Sequence, residues 1–599
     1  MKSLIHQLRM ELLPPESPQE LFLRTIYHRI YATHPFIAHQ MRLAKRSYSA
    51  WKRISSQIAN SANLPEAGDF SVTFLLTVMK NKENEAAVTI ESLVGMGQRG
   101  WKVVPILDAE VNWENVLRKL AGISALNDLL LPVAKGPALL SALKSVSTEF
   151  VVFCSAGDLF YKYLPAYLHA EQKTNPLGEV YYFDCEYQDP LNGAVRPFFK
   201  PSALSPELML SVNYLSRGFI RTRKMTDLLF QSDEITDEMG FEYRLLSTLI
   251  QEKASILHIP AVLARLHEPE FNPALDGEIK KLLQRQVNAT VSTETRAGNR
   301  WIQWKINEPK TSLIILNRNH GNMLRALLQS IFTLTDYSNY EICIVDNGST
   351  EREALLLYAE LEKDPRFKLI PYDAPFNYST AVNTGVEHSD GEIIVILNND
   401  MLITQPDWLS EMVRWACQPE IGVVGAKLLH KNRSIQHAGI ILGMNGFIGH
   451  LYLNAPEHYH GLAGSADWYR NFYALTGACQ AMRRNVFNQV GGYDPRFRLA
   501  FGDIDFCLRV IKEGFRNLYT PFAQLIHFEG SSRGYSTPTG DILFGYHELK
   551  SWLEADDPYF SPNLTYTPIP KCNTGHGTAN DRLERIEQRK RSIQAHQGK

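Results

Sequence analysis

Residues 391–403 read GEIIVILNNDMLI, and the fold turns on how that stretch is understood. Ile393, Ile394, Val395, Ile396 and Leu397 form an unbroken apolar run, which predicts a strand buried on both faces, as in a parallel sheet. The run ends in Asn398, Asn399 and Asp400. A carboxylate at the end of a buried strand is costly to leave unpaired, so the cluster predicts a ligand site. The competing explanation is a plain turn, which Asn and Asp favour in any case. Upstream, residues 148–160 read TEFVVFCSAGDLF, the same outline with Ser155, Ala156 and Gly157 at the strand end and Asp158 after them.

Working outward, each of these stretches closes a repeat. SVTFLLTVMKNKENEAAVTIESLVGMGQRGWKVVPILDAEV and TSLIILNRNHGNMLRALLQSIFTLTDYSNYEICIVDNGST each give a short apolar strand, a polar turn, a helix and a second strand ending at Asp108 or Asp346. Strands and helices alternating at this spacing imply right-handed crossovers and a parallel sheet. In such sheets ligands bind outside the carboxyl ends of the strands. There Asp346 and Asp400 can converge, and a hard divalent cation bridging to phosphate oxygens is a fitting partner for the carboxylate of Asp400.

The chain has 599 residues, more than one hydrophobic core organises, so two domains with accessory segments are expected. Lys and Arg total 62 against 64 Asp and Glu, a formal net charge of -2 that excludes a global field recruiting nucleic acid. The 7 Cys form no CxxC pair, which fits buried thiols in a reducing compartment rather than a disulfide framework or zinc site. The opening MKSLIHQLRMELLPPESP lacks the apolar core of a signal peptide, and no apolar run is long enough to span a bilayer, so the expected location is the cytosol. Residues 17–60 combine helical apolar spacing with an excess of Arg and Lys. They are expected as a helical arm that either packs or touches an anionic membrane surface.

LIILNRNHGNMLRALLQSI, CIVDNGST, FNYSTAVNTGVEHSDGEIIVILNND, TGACQAMRRNVFNQVGGYDPRF and FGDIDFCLRVIKEGFRNLYTPFAQLIHFEGSSRG follow one another over residues 311–534. As a set they resemble a family 2 glycosyltransferase of the GT-A fold, particularly the bacterial rhamnosyltransferase-like enzymes that build O-antigen, capsule and other surface glycans. Residues 70–267 resemble a second, weaker copy, with VYYFDCEYQDPLNGAVRPFFKPSALSPELMLSVNY its clearest family text. The expected fold is therefore α/β: two tandem GT-A (Rossmann-like, mostly parallel sheet) domains with helical N-terminal and C-terminal extensions. The expected boundaries are a helical arm over 1–68, a degenerate GT-A-like domain over 69–271, a linker over 272–310, the catalytic domain over 311–545, and an extension over 546–599 ending in a frayed or disordered charged tail.

The resemblance implies roles residue by residue. Asp400 is the principal ligand of a divalent cation (Mn2+ or Mg2+), and His527 completes that site. Asn398 and Asn399 hold the loop and contact ribose or phosphate, Asp346 holds the base and ribose, and Asn317 lies in the same pocket. Asn377 and Asn383 seat the nucleotide, with loop capping as the alternative. Thr476 and Gly477 line the donor-sugar and acceptor pocket, and Arg533 offers a second positive charge to the diphosphate, with an exposed loop position as the alternative. Asp503 is the base that deprotonates the acceptor hydroxyl. Asp505 is expected to be structural. Gly502 replaces the Glu or Asn that relatives carry before the base, which leaves the support of that base open, and Phe528 replaces a second family histidine. Trp468 and Tyr469 could stack on sugar or be buried; His437 and His450 are expected as packing or pocket-wall residues.

The expected function is inverting, metal-dependent transfer of a sugar from a nucleotide-diphosphate donor to a growing cell-surface glycan on a lipid carrier or lipid A core, with possible peripheral contact at the cytoplasmic face of the inner membrane. Two rivals stand beside it. In one, both copies act, an option that Asp108 and Asp158 keep open. In the other, the chain is a non-enzymatic scaffold that binds glycan or nucleotide sugar.

Overall fold

The structure is a computed structural model that describes residues 34–61, 70–528 and 537–597, apart from 99, 124–125, 131–133, 136–142, 145, 189–192, 194, 232–237, 268–274, 288–290, 297 and 575–578. The chain divides into two compact units: Tyr48–Asn288 with Leu462–Gly464, and Met1–Ser47 with Ala289–Gly461 and Ser465–Lys599. The division between residues 288 and 289 falls inside the stretch expected as a linker. That stretch holds a helix at Asp276–Val287 and an antiparallel hairpin of Val291–Arg296 with Asn299–Trp304.

The first unit is built on β1 (Val72–Val78), β2 (Trp101–Leu107), β3 (Ala134–Lys135), β4 (Phe150–Ser155), β5 (Leu159–Phe160), β6 (Val180–Gln188), β7 (Val195–Phe198), β8 (Phe219–Arg221) and β9 (Ile256–Leu266). Their order across the sheet is β3-β2-β1-β4-β8-β6-β9-β5, with β7 on β6. The second unit uses β10 (Thr311–Asn317), β11 (Tyr340–Asp346), β12 (Phe367–Pro371), β13 (Ile393–Leu397), β14 (Met401–Ile403), β15 (Ile421–Leu429), β16 (Ile435–His437), β17 (Arg470–Phe472), β18 (Cys479–Arg483) and β19 (Arg516–His527). Their order is β12-β11-β10-β13-β18-β15-β19-β14, with β16 on β15 and β17 on β19.

The two orders are the same list. Each described first-unit strand has a counterpart at the same place, and β17 is an addition to the second sheet. Pairing directions agree as well: β1 and β10 each lie parallel to both neighbours. β8 and β18 are antiparallel insertions between parallel strands. The repeat legible in sequence is thus a duplicated mixed α/β sheet. β13 is buried at every position, as its β-branched run requires, and it delivers Asn398, Asn399 and Asp400 to the carboxyl edge of the sheet.

The helices include α1 (His34–Ser61), α2 (Glu238–Gln251) and, in the second unit, α3 (Arg352–Leu361) beyond β11. α4 (Tyr378–Glu387), α5 (Trp408–Ala416) and α6 (Gly502–Lys512) follow, with α7 (Ala579–Gln597) near the end of the chain. The charged tail is helical rather than frayed. Ile586 and Ile593, two turns apart, are buried, and Arg589 Nη1 donates to Asn445 O at 2.9 Å. No described helix is long and apolar enough to cross a membrane.

Candidate active site

At the carboxyl edge of the second sheet, Asn317 ends β10 and Asp346 ends β11, paired in register. A relay of side chains joins them. Tyr358 OH, from α3, donates to Asp346 Oδ1 at 2.9 Å and receives Asn317 Nδ2 at 2.7 Å. Asn399 Nδ2 donates to Asn317 Oδ1 at 2.7 Å, which ties the end of β13 into the same relay. Ser349 donates both its hydroxyl and, at 3.1 Å, its amide to the Asp346 carboxylate. The turn after β10 is fixed by left-handed Asn319 and His320 and by Gly321, where a Cβ would stand 2.4 Å from Ala354 N. Asp346 is thus half-exposed on a fixed frame. Tyr358 and Ser349 were not singled out from the sequence: Ser349 sits in the quoted CIVDNGST, but Tyr358 looks like any apolar position of a helix.

Asp400 and His527 form the second cluster. Met401 pairs with His527 across β14 and β19, which brings His527 Nε2 to 3.1 Å from Asp400 Oδ1, and Phe528 N donates to Asp400 O at 2.9 Å. Both side chains are nearly buried, and His527 Nδ1 has no hydrogen-bond partner among the described residues. His527 Nε2 and Asp400 Oδ1 are close enough together to serve as two ligands of one divalent cation. No group of three or more His, Cys, Asp and Glu is gathered for a metal among the described residues. Two protein ligands suit Mn2+ or Mg2+ whose remaining positions are filled by water and substrate phosphate. Asn398 is half-exposed beside them, and its amide donates to Ala478 O at 3.0 Å.

That bond leads to the third cluster. Thr476, Gly477 and Ala478 precede the antiparallel β18, so they lie at the same edge as the ends of β10, β11, β13 and β19. Gly477 N donates to Asp503 Oδ2 at 2.7 Å, and Ile504 N to Asp503 Oδ1 at 2.9 Å. Asp503 lies in the first turn of α6, half-exposed, where a carboxylate suits the helix dipole. The question left by Gly502 has a steric answer: a Cβ there would stand 2.6 Å from Ser379 Oγ, so the side chain found in relatives has no room. Support comes instead from the Gly477 amide and from Tyr378, whose hydroxyl donates to Gly477 O at 3.2 Å. Thr476 contributes a long contact, its Oγ1 accepting from Ala478 N at 3.4 Å.

The segment before Asp503 is clamped along its length. Asn383 embraces Tyr493 through Nδ2 to its carbonyl and Oδ1 to its amide, both at 2.8 Å. Asn377 caps α4 by accepting from Thr380 N at 3.0 Å and donates to Pro495 O at 2.8 Å. Ser379 Oγ donates to Phe497 O at 2.6 Å, and Asp541 accepts from Leu499 N and Ala500 N at 2.7 and 2.8 Å. Asn377 and Asn383 thus take the capping alternative in this structure and hold the loop that leads to Asp503. Asp505 pairs with Arg509 at 2.7 Å, and burial raises its carboxyl above the usual range.

Trp468 and Tyr469 are buried, and Tyr469 OH donates to the fully buried Glu411 at 3.1 Å, so neither offers a face to sugar. His437 and His450 share a contact between their Nδ1 atoms at 2.9 Å, and burial holds His437 well below the usual histidine range. Arg533 lies outside the described residues.

Residues 312–491 match the family model "Glycosyl transferase family 2". The O-antigen biosynthesis protein RfbC of Myxococcus xanthus is 33% identical over 439 residues, 70% of this chain and 34% of that protein. Protein y4gI of Sinorhizobium fredii is 40% identical over 264 residues, 43% of this chain and 29% of that one. An N-acetylglucosaminyl-diphospho-decaprenol L-rhamnosyltransferase of Mycobacterium tuberculosis is 26% identical over 251 residues, 37% of this chain and 77% of that enzyme. The chain spans about a third of the length of the first two. Among solved structures, a mannosyltransferase of Pyrobaculum calidifontis in complex with GDP-Man and Mn2+ shares 18% identity over 48% of this chain and 75% of that one, at a TM-score of 0.32. That likeness adds nothing to the strand order. Residues 312–491 thus carry a family 2 glycosyltransferase domain.

Proposed function

We propose that the second unit moves a sugar from a nucleoside diphosphate to a hydroxyl of a growing cell-surface glycan, with inversion at the anomeric carbon. The observation that carries this is the Asp503 carboxylate, half-exposed and held by the Gly477 amide at the sheet edge where Asp400 and His527 also end. Asp346, fixed by Ser349 and Tyr358, accepts hydrogen bonds from the base or ribose, and Asn317 and Asn399 keep it in register with the diphosphate. Asp400 and His527 would hold the cation, which when bound neutralises charge on the diphosphate. Asp503 takes the proton from the acceptor hydroxyl as that oxygen approaches the anomeric carbon from the side opposite the diphosphate. A two-step route with retention would need a second carboxylate as nucleophile. Asp505 is the neighbouring candidate, and its commitment to Arg509 favours direct displacement.

The acceptor in this reading is lipid-linked, met at the cytoplasmic face of the membrane, and the exposed basic face of α1 is the surface that touches anionic lipid. The test of transfer is Asp503→Asn. It should lower kcat by about 10² to 10⁴ while leaving donor binding intact. Undiminished turnover would end the assignment of the base, and unchanged function with no turnover in either form would favour a binding scaffold.

A further inference from the structure

The duplicated sheet allows the two units to be compared position by position. Val78 pairs with Leu107 at the ends of β1 and β2 as Asn317 pairs with Asp346. The next amide repeats the match: Asp108 N donates to Val78 O at 3.1 Å and Asn347 N to Asn317 O at 3.0 Å. Leu107, not Asp108, therefore stands where Asp346 stands. Phe150 and Ile393 open β4 and β13 against equivalent residues, Val72 and Thr311. Seven residues on from each come Gly157 and Asp400, so Asp158 is one place beyond the metal ligand rather than its remnant. Leu159 pairs with Arg265 as Leu402 pairs with Ile526, which puts Leu266 where His527 stands.

One carboxylate survives the comparison. Phe183 pairs with Ile259, and Ala426 with Thr520, at the same irregularity in each sheet. Glu242 lies seventeen residues before Ile259, and Asp503 seventeen before Thr520. The intervening helix ends are superposable in hydrogen bonding: Ala254 N to Leu249 O in one, Phe515 N to Val510 O in the other. Glu242 on α2 thus occupies the place of Asp503 on α6. It is not available as a base. Arg221 and Arg483 both pair with the first residue of the strand beside them, so Arg217 stands where Cys479 stands, just past the Gly477 turn. Arg217, in left-handed backbone, gives its amide to Glu242 Oε1 at 2.9 Å. Its Nε lies 2.6 Å from Asp158 Oδ2, Nη2 3.0 Å from Ser155 Oγ, and Nη1 3.8 Å from Glu242 Oε2. The side chains of Arg217, Asp158 and Glu242 are 4%, 0% and 1% exposed.

We infer that the first unit is a retired transferase site in which the guanidinium of Arg217 has taken the place of the cation and bound the surviving base. The site is closed by its own side chain and takes neither a nucleoside diphosphate nor a divalent ion. The whole chain therefore holds one donor site. The assignment rests on reading Asp400, His527 and Asp503 as the working site, but the Arg217 lock itself is testable apart from that reading. Each residue that frames a nucleotide in the second unit has an apolar or small counterpart here: Val78, Leu107, Ala156, Gly157 and Leu266. One arginine sets a positive charge between two buried carboxylates, of which Asp158 also accepts from the Ser155 and His267 amides at 2.9 and 3.1 Å.

The first arm of the test compares Arg217→Met with Arg217→Met/Asp158→Asn/Glu242→Gln in the full chain by thermal unfolding. Cutting one partner from a buried ion cluster is costly, whereas neutralising all of it is tolerated. The single variant should unfold several degrees below the parent, or fail to fold, and the triple variant should recover most of the loss. A single variant as stable as the parent, or a triple variant no better than the single, overturns the lock. The second arm titrates UDP, dTDP and GDP with Mn2+ into the parent and into Asp400→Ala/His527→Ala. At most one nucleotide should bind per parent chain and none to the variant. Mn2+-dependent binding that persists in the variant and disappears when Asp158→Asn is added would overturn the inference. A parent that binds none of the three would instead count against the proposed donor site, with the Arg217 arm still decisive for the first unit.

Discussion

Gly477 donates its amide hydrogen to Asp503 Oδ2 at 2.7 Å, and a Cβ at position 477 would stand 3.0 Å from Asp503 Cβ. The loop before β18 and the first turn of α6 therefore meet at a distance that glycine alone accommodates without displacement. Gly477→Ala should push the carboxylate off its position while leaving Asp346 and Asp400 untouched. The contact asks the carboxylate to give by a few tenths of an ångström, and as a misplacement of about 1 Å costs on the order of a hundredfold in rate, the smaller shift costs roughly tenfold or less. The expected outcome is a fall of that size in kcat with little change in the KM for donor. A variant that weakens donor binding instead would show that Gly477 serves the sugar pocket rather than the base.

Tyr358 tests the other end of the site. Burial pushes its hydroxyl up to about 12, so it stays protonated through the working range and serves Asp346 and Asn317 at once. Tyr358→Phe removes one hydrogen bond to a carboxylate and one acceptor for the Asn317 amide, while the ring keeps its packing. Donor affinity should drop by about tenfold, which is about 1.4 kcal/mol, with kcat nearly unchanged. An unaltered donor affinity in titration would remove Tyr358 from the site.

These two residues also mark what could be read in advance. The strand ends Asp346 and Asp400 were visible because a buried β-branched run breaking into Asn and Asp is a local pattern. Asp503 and His527 came from resemblance. Tyr358 was invisible because its role arises from a helix folding back over β11, which no spacing encodes. In the first unit, Ser155–Gly157 stand where Asn398–Asp400 stand in the second, and the nearest carboxylates, Asp108 and Asp158, lie one residue past the positions of Asp346 and Asp400. Register places both, since pairing across a sheet fixes position to the residue. Gly502, a gap in the sequence pattern, proved to be a place where Ser379 leaves no space. Trp468 and Tyr469 left sugar stacking and burial both open in the sequence, and the hydrogen bond from Tyr469 to buried Glu411 goes with burial.

Glu411 itself gives a pH prediction. It is fully buried on α5, accepts from Trp301 Nε1 at 2.8 Å and Thr520 Oγ1 at 2.6 Å, and burial raises its carboxyl from 4.5 to about 7. A carboxyl raised in the folded state favours folding while protonated. Its contribution is complete below about pH 4.5 and is lost as pH rises through about 7. The rise corresponds to about 3 kcal/mol as an order of magnitude. Denaturant unfolding at pH 5 and pH 8 should show the second unit losing stability across that window. Glu411→Gln should flatten the dependence. Equal pH slopes in parent and variant would assign the dependence to other groups.

The last prediction concerns α1, which from His34 to Ser61 contains no Asp or Glu. Arg42, Lys45, Arg46 and Arg53 are exposed at helical spacing, while Ile37, Ala44, Tyr48 and Trp51 are buried on the opposite side. Lys52 is drawn off the basic face to Glu186, at 2.7 Å. Four exposed basic side chains along one stripe are worth about 1 kcal/mol each beside an anionic bilayer, an attraction that salt screens. Replacing the four with Gln touches no buried residue and should leave donor cleavage in solution unchanged. Co-sedimentation with vesicles of phosphatidylglycerol and phosphatidylcholine should fall by at least about tenfold relative to the parent, and parent binding should itself collapse at about 0.5 M salt. Parent protein that ignores anionic vesicles at low salt would reduce the stripe to a solvated face. Parent binding unaffected by the four changes would place the membrane contact elsewhere on the chain.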